Sequence, residues 1–360
     1  MPDAIDPRWR QVADVLVGYS TRVQARERVM IAMVEAETFP LAQAVYEACV
    51  KAGAFPQVQF LSETLRHSLL KYGEAAQQSW LPEIEAYGME WADVYIGLRG
   101  ASDVNLMSDI PAPVLAANQR AQGDISAMRW RKTRWCLVRV PNAAMARNAG
   151  IDLCELERMF FAACAMDYEA AAARWREAAR KLGGSRTVRI VAGAETDLEF
   201  SVAGRKWLVC DGRINLPDGE ILTAPVNSSL NGRVHFEAPG LFGGKLIADI
   251  RLEWRAGALT HASASSNEDF LRHILETDAG ASRLGEFAFG LNPHLNRFCN
   301  DILYDEKIAG TIHLALGRAY PDSGGENQSS IHWDLVKDLR TEGAVYVDGA
   351  PALADGLMLI

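Results

Sequence analysis

A histidine and an aspartate stand two residues apart near the C-terminus, in the stretch SSIHWDLVKD. If residues 331–336 form a β-strand, His332 and Asp334 point to one face, about 7 Å apart at the backbone. The apolar residues Ile331, Trp333 and Leu335 point to the other face. An imidazole nitrogen and a carboxylate oxygen on one face can bind a transition metal. The same pattern fits a His–Asp hydrogen bond or a solvated strand face, so these two residues alone leave metal binding open.

Other titratable side chains stand in strand-like, apolar surroundings upstream. Glu220 follows a Pro-Asp-Gly turn in LPDGEILTAP, and Glu286 stands within LGEFAFGLNP. Glu306 and His313 belong to DEKIAGTIHLALGRAY, which ends at Tyr320. An ionised carboxylate is costly to bury without a partner, so a shared divalent cation would explain these acids together. His313 by itself also fits a hydrogen-bonded core histidine.

The first half of the chain alternates predicted strands with predicted helices. Strands are predicted at residues 28–34, 55–61, 92–100 and 135–141, and helices at 40–53, 68–91 with a break at Pro82, and 112–130. This order is typical of a doubly wound α/β domain. No GxGxxG motif follows any of these strands, so the phosphate loop of a dinucleotide-binding domain is missing.

The second half is predicted to be rich in β-strands and holds every candidate metal ligand. Residues 151–182 are predicted as one continuous helix that bridges two domains. From about residue 188, short strands follow at regular intervals, interrupted by one helix at 267–280. We therefore predict an α/β protein of two domains: an N-terminal doubly wound α/β domain at 1–185, with the helical bridge at its end, and a C-terminal β-rich metal-binding domain at 186–360.

Charge and composition exclude several classes of partner. The 360 residues carry a formal net charge of -9, so no basic surplus is available to neutralise the phosphates of a nucleic acid or an anionic membrane. No apolar run approaches the roughly 18 residues of a membrane helix, and no secretory signal is visible. The six cysteines show no CxxC pairing and several stand in apolar runs. They indicate buried free thiols and predict a cytoplasmic protein.

Several stretches resemble a known family. LPDGEILTAP, LGEFAFGLNP, LYDEKIAGTIHLALGRAY and GGENQSSIHWD resemble the metal-site segments of the thermophilic metallo-aminopeptidases, the aminopeptidase T and aminopeptidase S family. VQARERVMIAMVEAETFPLAQAVYEACVKAGAFPQV is similar to the N-terminal α/β start of that family, and TDLEFSVAGRKW to its linking strand region. The resemblance implies a two-domain, homodimeric hydrolase that uses a pair of divalent ions to remove N-terminal residues from peptides.

The resemblance also implies a role for each matching residue. The implied metal ligands are Glu220, Glu286, Glu306, His313, His332 and Asp334. Two ions of zinc, cobalt or manganese would share the Glu286 carboxylate and a water, which becomes a hydroxide near neutral pH and attacks the scissile carbonyl. Glu220 or Glu286 would carry a proton to the leaving amine, and Tyr320 would donate a hydrogen bond to the oxyanion.

The chain departs from the family pattern at one point, and two alternatives remain open beside this interpretation. The better-known peptidases of the family carry two adjacent glutamates before the TAP-like turn, whereas Asp218-Gly219-Glu220 supplies one. A divergent branch with a similar fold is a dihydroxypyridine ring-cleaving dioxygenase, which acts on a small molecule with one Fe(II) held by two histidines and one aspartate. His332 and Asp334 fit either site, and the other implied ligands favour two ions. A scaffold stabilised by metal without catalysis is the second alternative.

Overall fold

The computed structural model describes residues 5–129 and 132–360, which form two compact units. The first unit contains the chain up to Tyr168 together with Gly212–Pro217, and the second contains Glu169–Asp211 and Asp218–Ile360. No described helix is both long and apolar enough to cross a membrane. The domain boundary placed at residues 185 and 186 from the sequence stays a prediction.

A five-stranded parallel sheet forms the centre of the first unit. Its order is β2 (Phe55–Leu61), β1 (Arg28–Val34), β3 (Val94–Arg99), β4 (Arg134–Arg139) and β8 (Asn215–Leu216). The interior of β1 is buried on both faces, as expected of a central strand in a parallel sheet. The chain runs outward from β1 in both directions, which confirms the predicted doubly wound pattern. The two-residue strand β8 comes from the short segment after Asp211 and was not predicted.

The helices of the first unit connect these strands. They are α1 (Pro7–Asp14), α2 (Phe39–Lys51), α3 (Glu63–Tyr72), α4 (Ala75–Gln78), α5 (Glu83–Trp91), α6 (Ala112–Met128), α7 (Ala143–Ala149) and α8 (Leu153–Cys164). The helix predicted at 68–91 consists of the end of α3 with α4 and α5, because Gly73 ends α3 and Pro82 precedes α5. The last two residues of the helix predicted at 112–130 are Arg129, which caps α6, and residue 130, which lies outside the described part.

The single helix predicted at 151–182 is wrong. The structure has two helices, α8 and α9 (Tyr168–Leu182), separated by three residues. The hydroxyl of Tyr168 donates a hydrogen bond to the carbonyl of Ala163, which belongs to the last turn of α8. A helix end leaves such carbonyls without intrahelical partners, and this contact satisfies one of them. The break is invisible in composition because every residue around it tolerates a helix.

Antiparallel sheets dominate the second unit. The larger sheet has the order β14 (Ala258–Ser263), β13 (Ile250–Arg255), β10 (Asn231–Phe236), β6 (Thr196–Ser201), β5 (Thr187–Ala192), β18 (Ala344–Val347), β19 (Ala350–Ala354) and β20 (Leu357–Met358). A five-stranded sheet, here called the ligand sheet, has the order β17 (His332–Asp338), β16 (Thr311–Gly317), β15 (Leu284–Gly290), β9 (Glu220–Thr223) and β7 (Leu208–Cys210). A small hairpin and three helices complete the unit: β11 (Gly240–Phe242), β12 (Lys245–Ile247), α9 apart from its first residue, α10 (Glu268–Leu275) and α11 (Ile302–Asp305).

Aromatic side chains join the two large sheets of the second unit. Phe200 on β6 packs edge-on against Phe287 on β15, with ring centroids 5.5 Å apart. Phe289 lies 5.0 Å from Phe287 and 6.0 Å from Trp207. One face of the ligand sheet therefore packs in the core. The residues that alternate with these aromatic side chains along the strands point to the opposite face.

Candidate metal centre

Strand register gathers five of the predicted site residues on one face of the ligand sheet. Antiparallel partners share a face, and the pairs on this face are Glu220 with Gly290, Ala288 with His313, Glu286 with Ala315, Ala315 with Asp334, and Gly317 with His332. Each candidate ligand on this face has a glycine or an alanine directly opposite on one neighbouring strand, while His313 also pairs with Val336 and Glu220 with Cys210 on their other sides. Small neighbours leave the face open for long side chains to converge above it.

A β-bulge directs Glu286 to this face. The register between β15 and β16 shifts between Leu284, which pairs with Leu316, and Glu286, which pairs with Ala315. Without the shift, Leu284 and Glu286 would point the same way, because they stand two residues apart. The extra residue, Gly285, lets Leu284 enter the core while Glu286 points to the ligand face.

Glu286 lies between the two histidines. Its Oε1 atom is 3.3 Å from Nε2 of His313, and its Oε2 atom is 3.4 Å from Nε2 of His332. Asp334 Oδ1 is also 3.4 Å from His332 Nε2, and Glu220 Oε2 is 3.5 Å from His313 Nε2. Glu286 is therefore the member that two neighbouring groups of ligand atoms share.

A backbone contact sets the orientation of the His332 ring. Nδ1 of His332 donates a hydrogen bond to the carbonyl of Arg318 at 2.7 Å, so Nε2 is the atom that faces the carboxylates. Metal-binding histidines commonly use the second ring nitrogen in this way. The geometry fits a ligand role for His332.

Glu306 reaches the same cluster from the turn after α11. A Cβ at Gly290 would lie 2.2 Å from the carbonyl oxygen of Ile308 and 3.0 Å from that of Glu306, so glycine on β15 allows this turn to pack against the sheet. Ligand atoms of Glu306, His313 and Asp334 lie within 4.8 Å of one another. The structure thus brings all six predicted ligands together.

Lys307 is a buried residue that the sequence interpretation missed. Its Nζ atom lies 2.7 Å from Glu220 Oε1, 2.7 Å from Glu306 Oε1 and 3.5 Å from Asp218 Oδ1, and its side chain is 1% exposed. A signal was present, because Lys307 directly follows Glu306, a candidate ligand, and precedes the apolar strand that carries His313. Long charged side chains are almost never fully buried unless they are paired.

Burial and charge perturb the acids of the cluster in different directions. Desolvation alone would raise the pKa of Glu220, but the charges of Lys307 and His313 hold it below its ordinary value. Desolvation raises the pKa of Glu286 and takes that of Glu306 to about 8. Burial would also raise the pKa of Asp334, but His332 lowers it to about 2.

The carboxylates hold both imidazoles in the charged form when no metal is bound. Desolvation would lower both pKa values, yet the hydrogen bond with Glu286 and nearby carboxylates raise the pKa of His313 to about 9. Asp334 and Glu286 raise that of His332 to about 10. Strong perturbation of several converging groups is typical of a functional site.

Buried oxygens without hydrogen-bond partners show that the cluster fits divalent cations. Glu220 Oε2, Glu286 Oε2 and Asp334 Oδ1 have none within the described residues, although each is shielded from solvent. Each faces an imidazole only at 3.4 or 3.5 Å, and a buried carboxylate oxygen without a hydrogen bond is costly, so a cation would satisfy all three. Carboxylate and imidazole donors together suit zinc, cobalt or manganese.

Tyr320 lies at the edge of the cluster and is 45% exposed. Its ring centroid is 5.1 Å from that of His332, at an interplanar angle of 57°. Desolvation of the phenol, followed by the charges of Glu286 and Asp334, raises the pKa of Tyr320. The phenol therefore keeps its proton and is available as a hydrogen-bond donor.

The chain is similar to known aminopeptidases. Aminopeptidase 2 of Geobacillus stearothermophilus is 26% identical to the chain over an alignment of 402 positions that covers 93% of the chain and 94% of the relative. Aminopeptidase T of Thermus thermophilus is 28% identical over 319 positions, covering 75% and 77%. The solved structure of wild-type AmpT from Thermus thermophilus superposes with a TM-score of 0.85, covering 99% of the chain and 100% of AmpT at 22% identity, and confirms the predicted two-domain α/β fold.

The family model described as thermophilic metalloprotease (M29) matches residues 5–350, which include both units and every predicted ligand. This match confirms the resemblance drawn from the quoted segments. The chain belongs to the M29 family of thermophilic metalloproteases and is therefore a metal-dependent hydrolase.

Proposed function

We propose that this protein is an aminopeptidase that removes N-terminal residues from peptides at a dinuclear metal centre. The observation that carries the proposal is the position of Glu286, whose two carboxylate oxygens face two different imidazoles at 3.3 and 3.4 Å. A carboxylate in this position can bridge two ions. The relatives named aminopeptidases support the choice of reaction.

The ligand atoms divide into two groups around Glu286. One group contains Glu220, Glu286 and His313, and the other contains Glu286, His332 and Asp334. Glu306 is grouped with His313 and Asp334, one residue from each set. We assign one divalent ion to each set, with Glu306 as a further ligand between them.

Charge supports the number of ions. The buried cluster contains one ammonium, that of Lys307, and five carboxylates, which belong to Asp218, Glu220, Glu286, Glu306 and Asp334. With neutral histidines, the formal charge of this buried group is -4. Two divalent cations would neutralise it, whereas one would leave a large uncompensated charge in a site that is poorly solvated.

Bound in pairs, such ions polarise a peptide carbonyl and supply a hydroxide from a shared water near neutral pH. The residues of the chain perform the remaining tasks. Glu220 and Glu286 are the two carboxylates proposed to accept a proton and pass it to the leaving amine. Tyr320 keeps its phenolic proton and would donate to the oxyanion that forms at the scissile carbonyl.

The iron dioxygenase alternative requires both histidines and Asp334 on a single ion. The groups of ligand atoms found in the described residues place His313 and His332 in different sets. Glu286 lies between them and contacts both. The geometry therefore supports the dinuclear hydrolase over the mononuclear iron site.

Metal content and substrate specificity test the proposal together. Protein stripped of metal and titrated with cobalt or zinc should bind two ions per chain and release leucine from leucyl peptides. It should leave N-acetylated versions of the same peptides intact, because they lack the free amine. One bound iron with oxygen uptake, or equal cleavage of acetylated peptides, would contradict the proposal.

Two further properties of the proposal rest on the sequence. The resemblance to the M29 peptidases implies a homodimer. All six cysteines are free thiols, which fits the reducing conditions of the cytoplasm. Light scattering on purified protein and fractionation of the source cells test these two predictions.

A further inference from the structure

The ammonium of Lys307 contacts two members of a third group of side chains that could bind a metal, next to the proposed dinuclear centre. The Sγ atom of Cys210 and one carboxylate oxygen each of Asp218 and Glu220 lie within 4.8 Å of one another. Thiolate and carboxylate donors at such spacing suit zinc or cobalt. Lys307 Nζ is 2.7 Å from Glu220 and 3.5 Å from Asp218, and thus occupies the place of a cation in this group.

Glu220 connects the third group to the dinuclear centre. Its Oε1 atom contacts Lys307 at 2.7 Å, and its Oε2 atom faces His313 at 3.5 Å. Glu306 likewise gives its Oε1 atom to Lys307, at 2.7 Å. A metal ion at the position of the ammonium would therefore compete for two of the proposed ligands.

The backbone holds the lysine in this position. The N–H of Asn292 donates to the carbonyl of Lys307 at 2.8 Å, while the side-chain amide of Asn292 donates to the carbonyl of Asp218 at 2.8 Å. Asn292 is completely buried, so one rigid residue connects the lysine to the turn that carries Asp218. The contact between ammonium and carboxylates is thus part of the folded core.

We propose that Lys307 acts as a built-in monovalent cation that fills a third cation site formed by Cys210, Asp218, Glu220 and Glu306. This inference rests on the proposed function for the count of two ions in the native centre. Lys307 is a positioning residue: by holding one oxygen each of Glu220 and Glu306, it leaves only the other oxygen of each for the catalytic ions. It also keeps the Cys210 thiol from becoming a ligand.

Removal of the ammonium should open the third site. In Lys307→Ala, a divalent ion can bind the three carboxylates and the Cys210 thiolate, with the thiol proton released to solvent. Cobalt is the probe, because thiolate ligation to Co²⁺ produces a charge-transfer absorption that carboxylates and imidazoles do not. Wild-type protein should bind two Co²⁺ per chain without this band, and Lys307→Ala should bind three with it.

Three control variants separate this effect from a general disturbance. Lys307→Ala combined with Cys210→Ser should lose the band, which identifies the sulfur. Lys307→Met fills the volume of the lysine with an apolar chain and should stay at two ions. Lys337→Ala removes another buried lysine of the ligand sheet, 3% exposed and paired with the single carboxylate of Glu237, and should also stay at two ions without the band.

The outcomes distinguish this inference from the proposed function. The gain of one ion and of the band in Lys307→Ala relative to wild type supports the inference, whatever the wild-type count. If the wild type already shows the band, or Lys307→Ala shows neither change, the inference is overturned. If Lys307→Ala folds only with added Co²⁺, that rescue supports the inference, and failure to fold even with Co²⁺ overturns it.

Discussion

Oε1 of Glu286 lies 3.3 Å from Nε2 of His313, across two neighbouring antiparallel strands of the ligand sheet. The two residues are not direct cross-strand partners, because Glu286 pairs with Ala315 and His313 pairs with Ala288. Their diagonal contact is possible because both opposite residues are alanines, which leave room above the sheet. The other oxygen of Glu286 remains available to His332, and several predictions depend on this arrangement.

Replacement of Glu286 by glutamine should empty at least one metal position and reduce peptide hydrolysis by at least about 100-fold, since even partners of metal ligands contribute up to that factor. Glutamine keeps the volume of the side chain and removes its charge, so the change reports ligation and not packing. Metal content by mass spectrometry and rates on leucyl peptides provide the measurement. Glu253→Gln, at a half-buried position on β13 outside the ligand sheet, is the control. Full metal content with full activity in Glu286→Gln would show that the dinuclear assignment is wrong.

Replacement of Tyr320 by phenylalanine should reduce kcat about 100-fold and leave the metal content unchanged, because loss of one oxyanion donor has an effect of that order. The ring of Tyr320 packs beside His332, and phenylalanine keeps this contact. Steady-state kinetics with metal analysis on the same sample check the result. Tyr346→Phe on β18 should behave as wild type. Unchanged kcat in Tyr320→Phe would remove the phenol from the mechanism.

Metal binding should release protons near neutral pH. In metal-free protein the pKa values of His313 and His332 are about 9 and about 10, and that of Glu306 is about 8. These three groups are protonated at pH 7, and each must lose its proton to become a ligand, so metal affinity should decrease as pH falls. Calorimetric titrations in buffers of different ionisation enthalpy should give about two to three protons released per chain. Absence of a buffer dependence would contradict this prediction.

The same groups predict how the stability of the metal-free protein depends on pH. Their pKa values are higher in the folded state than in the unfolded state, so folding takes up protons. The stabilisation is complete below the ordinary histidine pKa of about 6.5 and is lost as pH rises through about 9 to 10. Chelator-treated protein should therefore melt at a lower temperature at pH 9.5 than at pH 7. The melting temperature of the metal-loaded protein should decrease less between these two pH values. An equal decrease in both forms would contradict the prediction that His313 and His332 cause it.

Gly317→Ala should destabilise the protein more than an ordinary glycine substitution. Gly317 lies opposite His332 with φ +94, and a Cβ there would lie 2.3 Å from the carbonyl oxygen of Ile331. Backbone strain and this close contact together should destabilise by roughly 2–3 kcal/mol. Gly150→Ala is the matched control, because φ is +66 and nothing lies within 4 Å of the added atom. The melting temperature of Gly317→Ala should be lower than that of Gly150→Ala, and equal melting temperatures would contradict the prediction.

Local sequence patterns predicted much of this protein. The alternation of His332, Trp333 and Asp334 predicted a strand with both polar residues on one face, and the structure has that strand. The apolar runs around Glu286 and His313 likewise became buried strands of the ligand sheet. These predictions succeed because the geometry of a strand depends on nearest neighbours along the chain.

Only the tertiary structure decided how these strands fit together. The bulge at Gly285 directs Leu284 and Glu286 to opposite faces of the sheet, whereas regular alternation along a strand predicts the same face for both. The break between α8 and α9 depends on the contact from Tyr168 to Ala163, and strand β8 depends on a parallel partner far away in sequence.

By itself, the sequence determined which acids and histidines were available and that His332 and Asp334 point to the same face of their strand. The tertiary structure alone decided that Glu286 lies between two imidazoles and that Lys307 contacts both Glu220 and Glu306. The physical reason is that side-chain direction follows from local backbone geometry. Distances between charges on different strands follow from register and packing, which involve residues nearly one hundred positions apart.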